Sequence, residues 1–516
     1  MKRLQRRDHS DAEKLFALAD FVRHDVTRRL DPRRRALLGQ FLTPSSVAHF
    51  MAGMFSGHKK DLHILDPGAG IGSLSAALVG ALCTTQRRPR SISITAYEVD
   101  PMLGQHLQTV LDQCRQASEK AGIRFEACII EEDFVEAGAD SLAGGLFARR
   151  SSEQFDYAIL NPPYRKISTE SHERKLFRRI GLETTNLYAG FLGVTARLLA
   201  PGGEMVAITP RSFCNGPYFE PFRRFFLRDM RFRRVHVFEA RDQAFADDAV
   251  LQENVVFHAQ RAPNPGLMVS VSSSIGPDGT GMRIRRIQHE ALVRLDDRHA
   301  FIHIVPDSDG EAVRQRVAKL GASLADLGLT VSTGRVVDFR AKELLRSRPD
   351  DNSVPLIYPC HMQAGVVEWP NGQTRKPNAL ALGPRSDDLL VPSGHYVLVK
   401  RFSAKEEPRR VVAAVFDPAL VPAEHVAFEN HLNYFHLHGR GLPATVAKGL
   451  TAFLNSTLVD VYFRQFSGHT QVNATDLRSL RYPVKEKLVA LGRRVGKHHP
   501  TQVDLDKLVE EVVLDA

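Results

Sequence analysis

Residues 156–164 read D-Y-A-I-L-N-P-P-Y, an apolar strand pattern that runs straight into Asn161, Pro162, Pro163 and Tyr164. Two consecutive prolines remove two backbone donors and hold φ near its extended value, so the chain leaving the strand is stiff and cannot enter a helix at once. Asn161 and Tyr164 are thereby presented on a rigid loop at the end of a strand, where open α/β sheets place their ligands. These residue types suit a flat base that carries an amino group. The exocyclic amine of adenine is a poor nucleophile because its lone pair is delocalised into the ring. The Asn161 side-chain oxygen and the Pro162 carbonyl can each accept one amine hydrogen, favouring a tetrahedral nitrogen whose lone pair points at an electrophile. Tyr164 offers a ring face, and stacking a base on an aromatic side chain contributes roughly 1–3 kcal/mol. The four letters alone are read equally well as a proline-stiffened turn after a core strand.

Upstream, D-L-H-I-L-D-P-G-A-G-I-G-S-L gives a short strand from Leu62 to Leu65, then Asp66, three glycines, and a helix opening near Ser73. The glycines permit a tight turn and a close approach of ligand to backbone. The spacing of Gly68, Gly70 and Gly72 departs from G-x-G-x-x-G and suits a nucleoside-type cofactor better than one bearing a pyrophosphate. A second strand, Ser91 to Glu98, ends in a carboxylate placed to accept hydrogen bonds from ribose hydroxyls, with a strand-end carboxylate at a helix N-terminus as the plainer reading of Glu98. A third, Arg124 to Ile130, leads to Glu132, Asp133 and Phe134, placed to bind a cofactor's adenine edge. Before all of this, residues 11–30 place Leu15, Leu18, Ala19, Val22, Val26 and Leu30 at helical spacing, with Arg23, Arg28 and Arg29 on the surface. Asp31-Pro32 closes that helix, and Arg33, Arg34 and Arg35 read as a solvated face. In G-Q-F-L-T-P-S-S, Thr43 can cap a helix with Pro44 in its first turn.

Downstream, Asn186 to Leu199 is helical, Pro201-Gly202-Gly203 a turn, and Glu204 to Thr209 a strand. The interleaved Phe and Arg of residues 219–234 read as an amphipathic helix with its phenylalanines inward. Val250 to His258 is a last strand pattern carrying Phe257. The strand and helix alternation through residue 260 implies a mostly parallel sheet with helices on both faces. Composition shifts over 261–320, where P-N-P-G and S-V-S-S-S-I-G-P-D-G-T-G mark the expected domain boundary. Beyond it come short strands, a lone Trp369 and dispersed basic residues, among them Arg335, Arg340, Lys400, Arg401, Arg409 and Arg410. This fits a nucleic-acid recognition domain in which no single base-reading residue can be named. Ala444 to Phe463 reads as one helix, followed by the polar loop Ser467 to Asn473.

At 516 residues, 43% apolar and 25% charged, the chain has the composition of an ordinary globular protein of at least two domains. Its 69 Lys and Arg against 59 Asp and Glu, a net charge of +10, point to a polyanionic partner. The five cysteines lack any Cys-x-x-Cys pair or zinc spacing, so the expectation is a reduced, cytoplasmic protein without metal. Neither a signal peptide nor a membrane-spanning run is read.

The order of these motifs carries a resemblance: Q-F-L-T-P first, then D-P-G-A-G-I-G, Y-E-V-D-P, E-D-F and N-P-P-Y, with N-L-Y-A-G-F-L and L-L-A-P-G-G after them. In that order the chain resembles the gamma group of N(6)-adenine DNA methyltransferases of type II restriction-modification systems. The resemblance implies a Rossmann-like α/β methyltransferase domain followed by a mixed α+β target-recognition domain. The expected divisions are a helical segment at 1–38, the catalytic domain at 39–265, a linker and start of the second domain at 266–320, and the recognition domain at 321–516. It implies S-adenosylmethionine held by Gln40, Phe41, Thr43, Asp66, Gly68, Gly70, Glu98, Asp133 and Phe134. It also implies a flipped adenine held by Asn161, Pro162, Pro163 and Tyr164, with Phe257 as candidate second stacking ring, a position at which the local alignment equally allows Ala259. The implied partners are double-stranded DNA and a separate cognate restriction endonuclease, the chain itself being a monomer. N(4)-cytosine methylation rests on the same amine chemistry, but Asn rather than Ser at position 161 favours adenine. RNA or protein-glutamine N-methylation, and a DNA-binding subunit without catalysis, are the other readings weighed.

Overall fold

A computed structural model of the protein describes residues 2–29, 41–57, 59–143, 154–238, 253–262, 268–293, 297, 299–305, 307–372, 375–403, 407–466, 471–496 and 500–514. The chain forms two units, Met1–Asp307 and Ser308–Ala516.

The first unit is built on strands β1 (Asp61–Pro67), β2 (Ser91–Tyr97), β3 (Arg124–Ile130), β4 (Phe155–Leu160), β5 (Leu199–Pro210), β6 (Met230–Phe238), β7 (Asn254–Arg261), β8 (Met268–Ser274) and β9 (Arg283–Gln288). They make one nine-stranded sheet in the order β3-β2-β1-β4-β5-β7-β6-β8-β9. The pairings from β3 through β5 are all parallel, while β7 runs antiparallel between β5 and β6. Strand order reverses between β1 and β4, and such a reversal opens a crevice at the carboxyl ends of the strands. Alternation along the strands divides the core in two. On β4, Tyr157 and Ile159 pack with Ile64 of β1 and with the helices Ser45–Ala52, Ser73–Thr84 and Pro101–Lys120. Ala158 and Leu160 pack on the opposite face with Phe134–Ala143, Leu187–Leu198 and Glu220–Asp229. The mostly parallel sheet with helices on both faces is the architecture expected from the alternation.

Several local readings need correction. Residues 268–288 are not linker. β8 pairs in parallel with β6, and β9 pairs antiparallel with β8, so the Ser-rich stretch extends the first sheet and the first unit runs to Asp307. Its composition misleads because V-S-V-S is strand alternation, with Val269 and Val271 buried between more exposed serines at 270 and 272. The N-terminal helix spans Lys2–Arg29, longer than expected, with Leu15, Ala19, Val22 and Val26 buried as their spacing predicts. Arg23 is buried too, its Nε donating to Asp20 at 3.1 Å. Residues 30–40, with the three-arginine run and Gln40, lie outside the described residues. Residues 467–470 of the polar loop do so as well.

The second unit holds a six-stranded and a five-stranded sheet with helices at its C-terminal end. The helix expected over 444–463 is two, Ala444–Leu454 and Thr457–Phe466. The break at Asn455 has a cause: its amide accepts from Ala413 N and donates to Ala413 O, both at 2.9 Å, capping a strand instead of continuing the helix. Ala444–Leu454 crosses Lys485–Val495 at two glycines. A Cβ on Gly449 would sit 1.9 Å from Leu488 O, and one on Gly492 the same distance from Thr445 O, so only glycine permits that approach. Among the described residues none of the five cysteines forms a disulfide, no cluster could hold a metal ion, and no helix is long and apolar enough to cross a membrane.

Candidate active site

A cavity of about 180 Å³ opens at the carboxyl ends of β1, β2 and β4. Its lining gathers Phe41, Thr43, Gly68, Gly70, Glu98, Asp133, Phe134, Asn161 and Pro163, residues spread over more than 120 positions of sequence. Three strand ends therefore converge on one volume. The lining also includes Tyr97, Arg165, Leu187 and Phe191, none of them expected at the site from the sequence. Arg165 directly follows the motif and is tethered by Glu173 at 2.6 Å. Leu187 and Phe191 come from N-L-Y-A-G-F-L, whose helical spacing of apolar residues reads as core.

The floor on the β1 side is the glycine turn. Gly68, Gly70 and Gly72 have φ of 71°, 58° and 85°, the left-handed region where a side chain is strained. Gly70 N–H donates to Glu98 Oε2 at 2.8 Å, and Asp100 N–H donates to Glu98 Oε1 at 2.9 Å. The carboxylate thus binds the glycine turn to the end of β2 while still lining the cavity. Burial raises the Glu98 pKa, and the backbone donors hold it back. Asp133 caps the helix that follows it, Oδ1 accepting from Val135 N at 2.7 Å and Glu136 N at 3.1 Å. Asp66 does not reach the cavity: it is fully buried behind the turn, accepting from Ser75 Oγ at 2.6 Å.

The β4 side is fixed by side chains. Asn161 Nδ2 donates to Phe41 O at 3.0 Å and to Thr43 Oγ1 at 3.1 Å. A carbonyl and a hydroxyl oxygen on that side orient the amide, and both its hydrogens are spent, so Oδ1 remains as an acceptor. Thr43 accordingly does not cap the following helix; Pro44 occupies that position, and the threonine hydroxyl serves Asn161. Pro163 O accepts from Arg165 N at 3.2 Å, whereas among the described residues no donor is bonded to the Pro162 carbonyl. The Tyr164 hydroxyl donates to Ile208 O at 3.2 Å, and its ring lies 6.1 Å from both Phe41 and Tyr188. Burial pushes the Tyr164 pKa up, so its ring stays neutral.

Phe257 is not at the site. It is fully buried in β7, with its ring 5.8 Å from Phe213, 5.9 Å from Phe226 and 5.5 Å from Phe232. β7 alternates, and Phe257 falls on the core face beside Ala207 and Val235.

The glycine turn, the carboxylate at the end of the next strand and the cavity that both line fit a nucleoside-type cofactor such as S-adenosylmethionine. Glu98 would hold ribose hydroxyls and Asp133 with Phe134 the base.

Residues 95–245 match the family described as the Eco57I restriction-modification methylase. The chain is 41% identical over 497 residues to the type II methyltransferase M.PstI of Providencia stuartii, covering 96% of this chain and 97% of that one. It is 43% identical over 490 residues to the type II methyltransferase M.BsuBI of Bacillus subtilis, covering 94% and 95%. Over 150 residues, 29% of this chain and 50% of the relative, it is 27% identical to the tRNA1(Val) (adenine(37)-N6)-methyltransferase of Porphyromonas gingivalis. Identity at this level along nearly the whole length of M.PstI and M.BsuBI makes the chain a member of the type II methyltransferase family of restriction-modification systems.

Proposed function

We propose that the chain transfers a methyl group from S-adenosylmethionine to the exocyclic N(6) of adenine within a short duplex DNA sequence. The observation that carries this reading is the amide of Asn161: Phe41 O and Thr43 Oγ1 take both its hydrogens, so it can meet a substrate amine only as an acceptor. The Pro162 carbonyl supplies the second acceptor. Together they bond both amine hydrogens and favour the tetrahedral nitrogen of the transition state over the planar ground state. Bound S-adenosylmethionine supplies an electrophilic methyl group. Tyr164, pinned by its hydroxyl to Ile208 O, keeps a ring in place for a base drawn out of the helix. The alkylated nitrogen releases its extra proton after transfer, so the site needs no strong general base.

The tRNA-modifying relative acts on adenine N6 by its name, which supports the choice of atom, but it aligns with only 29% of the chain. M.PstI and M.BsuBI extend across the second unit as well, which favours DNA as the polymer. The second unit is the target-recognition domain in this reading. The enzyme acts as a monomer in the cytoplasm, and a separate endonuclease cutting the unmethylated site is its genetic companion. The test is transfer of labelled methyl from S-adenosylmethionine to bacterial DNA, with nucleoside analysis of the product. Label in N(6)-methyladenine, absent with Asn161→Ala, is expected; label in N(4)-methylcytosine, RNA or protein overturns the substrate.

A further inference from the structure

Five arginines of the second unit, Arg335, Arg340, Arg401, Arg409 and Arg410, differ in where they sit. Arg409 donates to Asn455 O at 2.6 Å, and Arg410 is buried with its backbone N–H on Asp460, so both serve the fold. Arg335, Arg340 and Arg401 collect at one end of the six-stranded sheet, where Arg335 donates to Asp388 O at 3.2 Å and Leu390 O at 3.0 Å, and Arg401 to Asn430 O at 3.2 Å, all three being at least partly exposed. That end is defined by the strand pairings Thr333 with Asn433 and Lys400 with Leu432. There Val336 bridges Glu429, Asn430 N donates to Val336 O at 2.8 Å, and Arg401 N donates to His431 O at 2.8 Å.

The same end exposes two phenylalanines, Phe339 at 77% and Phe402 at 42%, the two exposed aromatic side chains among the described residues of this unit. One such residue on a surface means nothing by itself. Here each has an arginine as its chain neighbour with the guanidinium over the ring, Arg340 at 5.5 Å from Phe339 and Arg401 at 5.9 Å from Phe402. The nearby carboxylates do not cancel this charge. Asp338 is taken by Lys376 at 3.0 Å and by the Tyr358 hydroxyl at 2.8 Å, and Glu429 is fully buried against His431. Among the described residues none of the three guanidiniums has a carboxylate partner.

Cation and exposed aromatic ring, delivered twice on one sheet end, match a partner that is both polyanionic and stacked. We propose that this sheet end is the surface of the second unit that grips duplex DNA, with Arg340 and Arg401 on phosphates and Phe339 and Phe402 against base steps. The inference rests on the DNA-methyltransferase reading above and names the contact that it leaves open. Phosphate contacts release counterions, whereas rings wedged against base steps add affinity insensitive to salt.

The experiment is methyl transfer to bacterial DNA by the full chain, with KM for DNA and kcat separated. The variants are Phe339→Ala with Phe402→Ala, Arg340→Gln with Arg401→Gln, and the reference pair Arg493→Gln with Arg494→Gln on the exposed face of the helix Lys485–Val495. Both surface variants are expected to raise KM for DNA about tenfold or more, with kcat and S-adenosylmethionine binding within about twofold. The arginine variant should also flatten the slope of log affinity against log salt by about 0.9 per guanidinium, and the phenylalanine variant should leave it unchanged. Replacing the rings by leucine separates loss of stacking from loss of apolar volume. A parent that methylates DNA while both variants match the reference overturns this surface and leaves the methyltransferase reading standing. A parent that puts no methyl on DNA overturns that reading, and this one with it.

Discussion

The two halves of the cavity are built by different means. On the β1 and β2 side, shape comes from backbone: three left-handed glycines, and one carboxylate that ties Gly70 N to Asp100 N. On the β4 side, shape comes from side chains locked by distant partners: Asn161, in the lining, by Phe41 and Thr43, and Tyr164, which like Pro162 lies beside the lining and not in it, by Ile208. A backbone cradle tolerates loss of one side-chain contact, because its donors stay where the chain path puts them. A side-chain acceptor has no substitute. The halves should therefore fail differently under mutation, the first in binding and the second in rate.

The sharpest way to break this contrast is Asn161→Ala. Removing a hydrogen-bonding group that acts on the reacting centre typically costs 10²–10³ in rate, so single-turnover methyl transfer is expected to fall by about that factor or more. Equilibrium dialysis should show S-adenosylmethionine bound within about threefold of the parent. A parallel collapse of cofactor binding would mean that the amide serves the first half, as its bonds to Phe41 and Thr43 would then have to be reinterpreted.

Tyr164 divides the same half more finely. Tyr164→Ala removes the stacking face, worth roughly 1–3 kcal/mol, and is expected to lower kcat/KM for DNA by about 10- to 100-fold. Tyr164→Phe keeps the face and loses only the hydroxyl bond to Ile208 O, with an expected loss of about 2- to 5-fold. Equal losses in the two variants would assign the residue's value to that hydrogen bond and not to the ring.

For the backbone half the opposite signature is expected. Glu98→Gln retains an acceptor for one of the two backbone donors but faces the other with an amide hydrogen. Cofactor Kd should rise about tenfold, with kcat at saturating cofactor within about twofold. A lowered kcat at saturation would merge the two halves functionally.

This division also explains what could be read in advance. Glycines, a strand-end carboxylate and N-P-P-Y are local patterns, so nine of the predicted site residues do line one cavity. The partner of Asn161 was illegible because it lies 118 residues upstream in a threonine whose local context advertises a helix cap. Phe257 was misplaced for a related reason: a phenylalanine in an alternating strand faces either the core or the site, and only the pairing of β7 between β5 and β6 decides which. The strands β8 and β9 were hidden by serine content that looks like linker. Asp66 enters the expected cofactor set only through the resemblance, and nothing local tells a carboxylate behind a turn from one in front of it.

Asp66 gives the smallest prediction and a test of that placement. Its carboxyl is raised to about 7, first by burial, with the Ser75 hydrogen bond opposing and the charge of Glu98 adding to the rise. The folded pKa lies above the unfolded value of 3.8, so the native state binds the proton more tightly. The group's contribution to stability is then fully present below the unfolded pKa and is lost as pH rises through the folded one. Asp66→Asn carries no titrating group and keeps an acceptor for Ser75. Thermal unfolding of parent and variant from about pH 4 to about pH 8 should show the parent losing a few degrees relative to the variant across that window. A melting-temperature difference independent of pH would mean that the carboxylate stays ionised throughout, which requires water or ligand at Oδ1 and would return Asp66 to the cavity side of the turn.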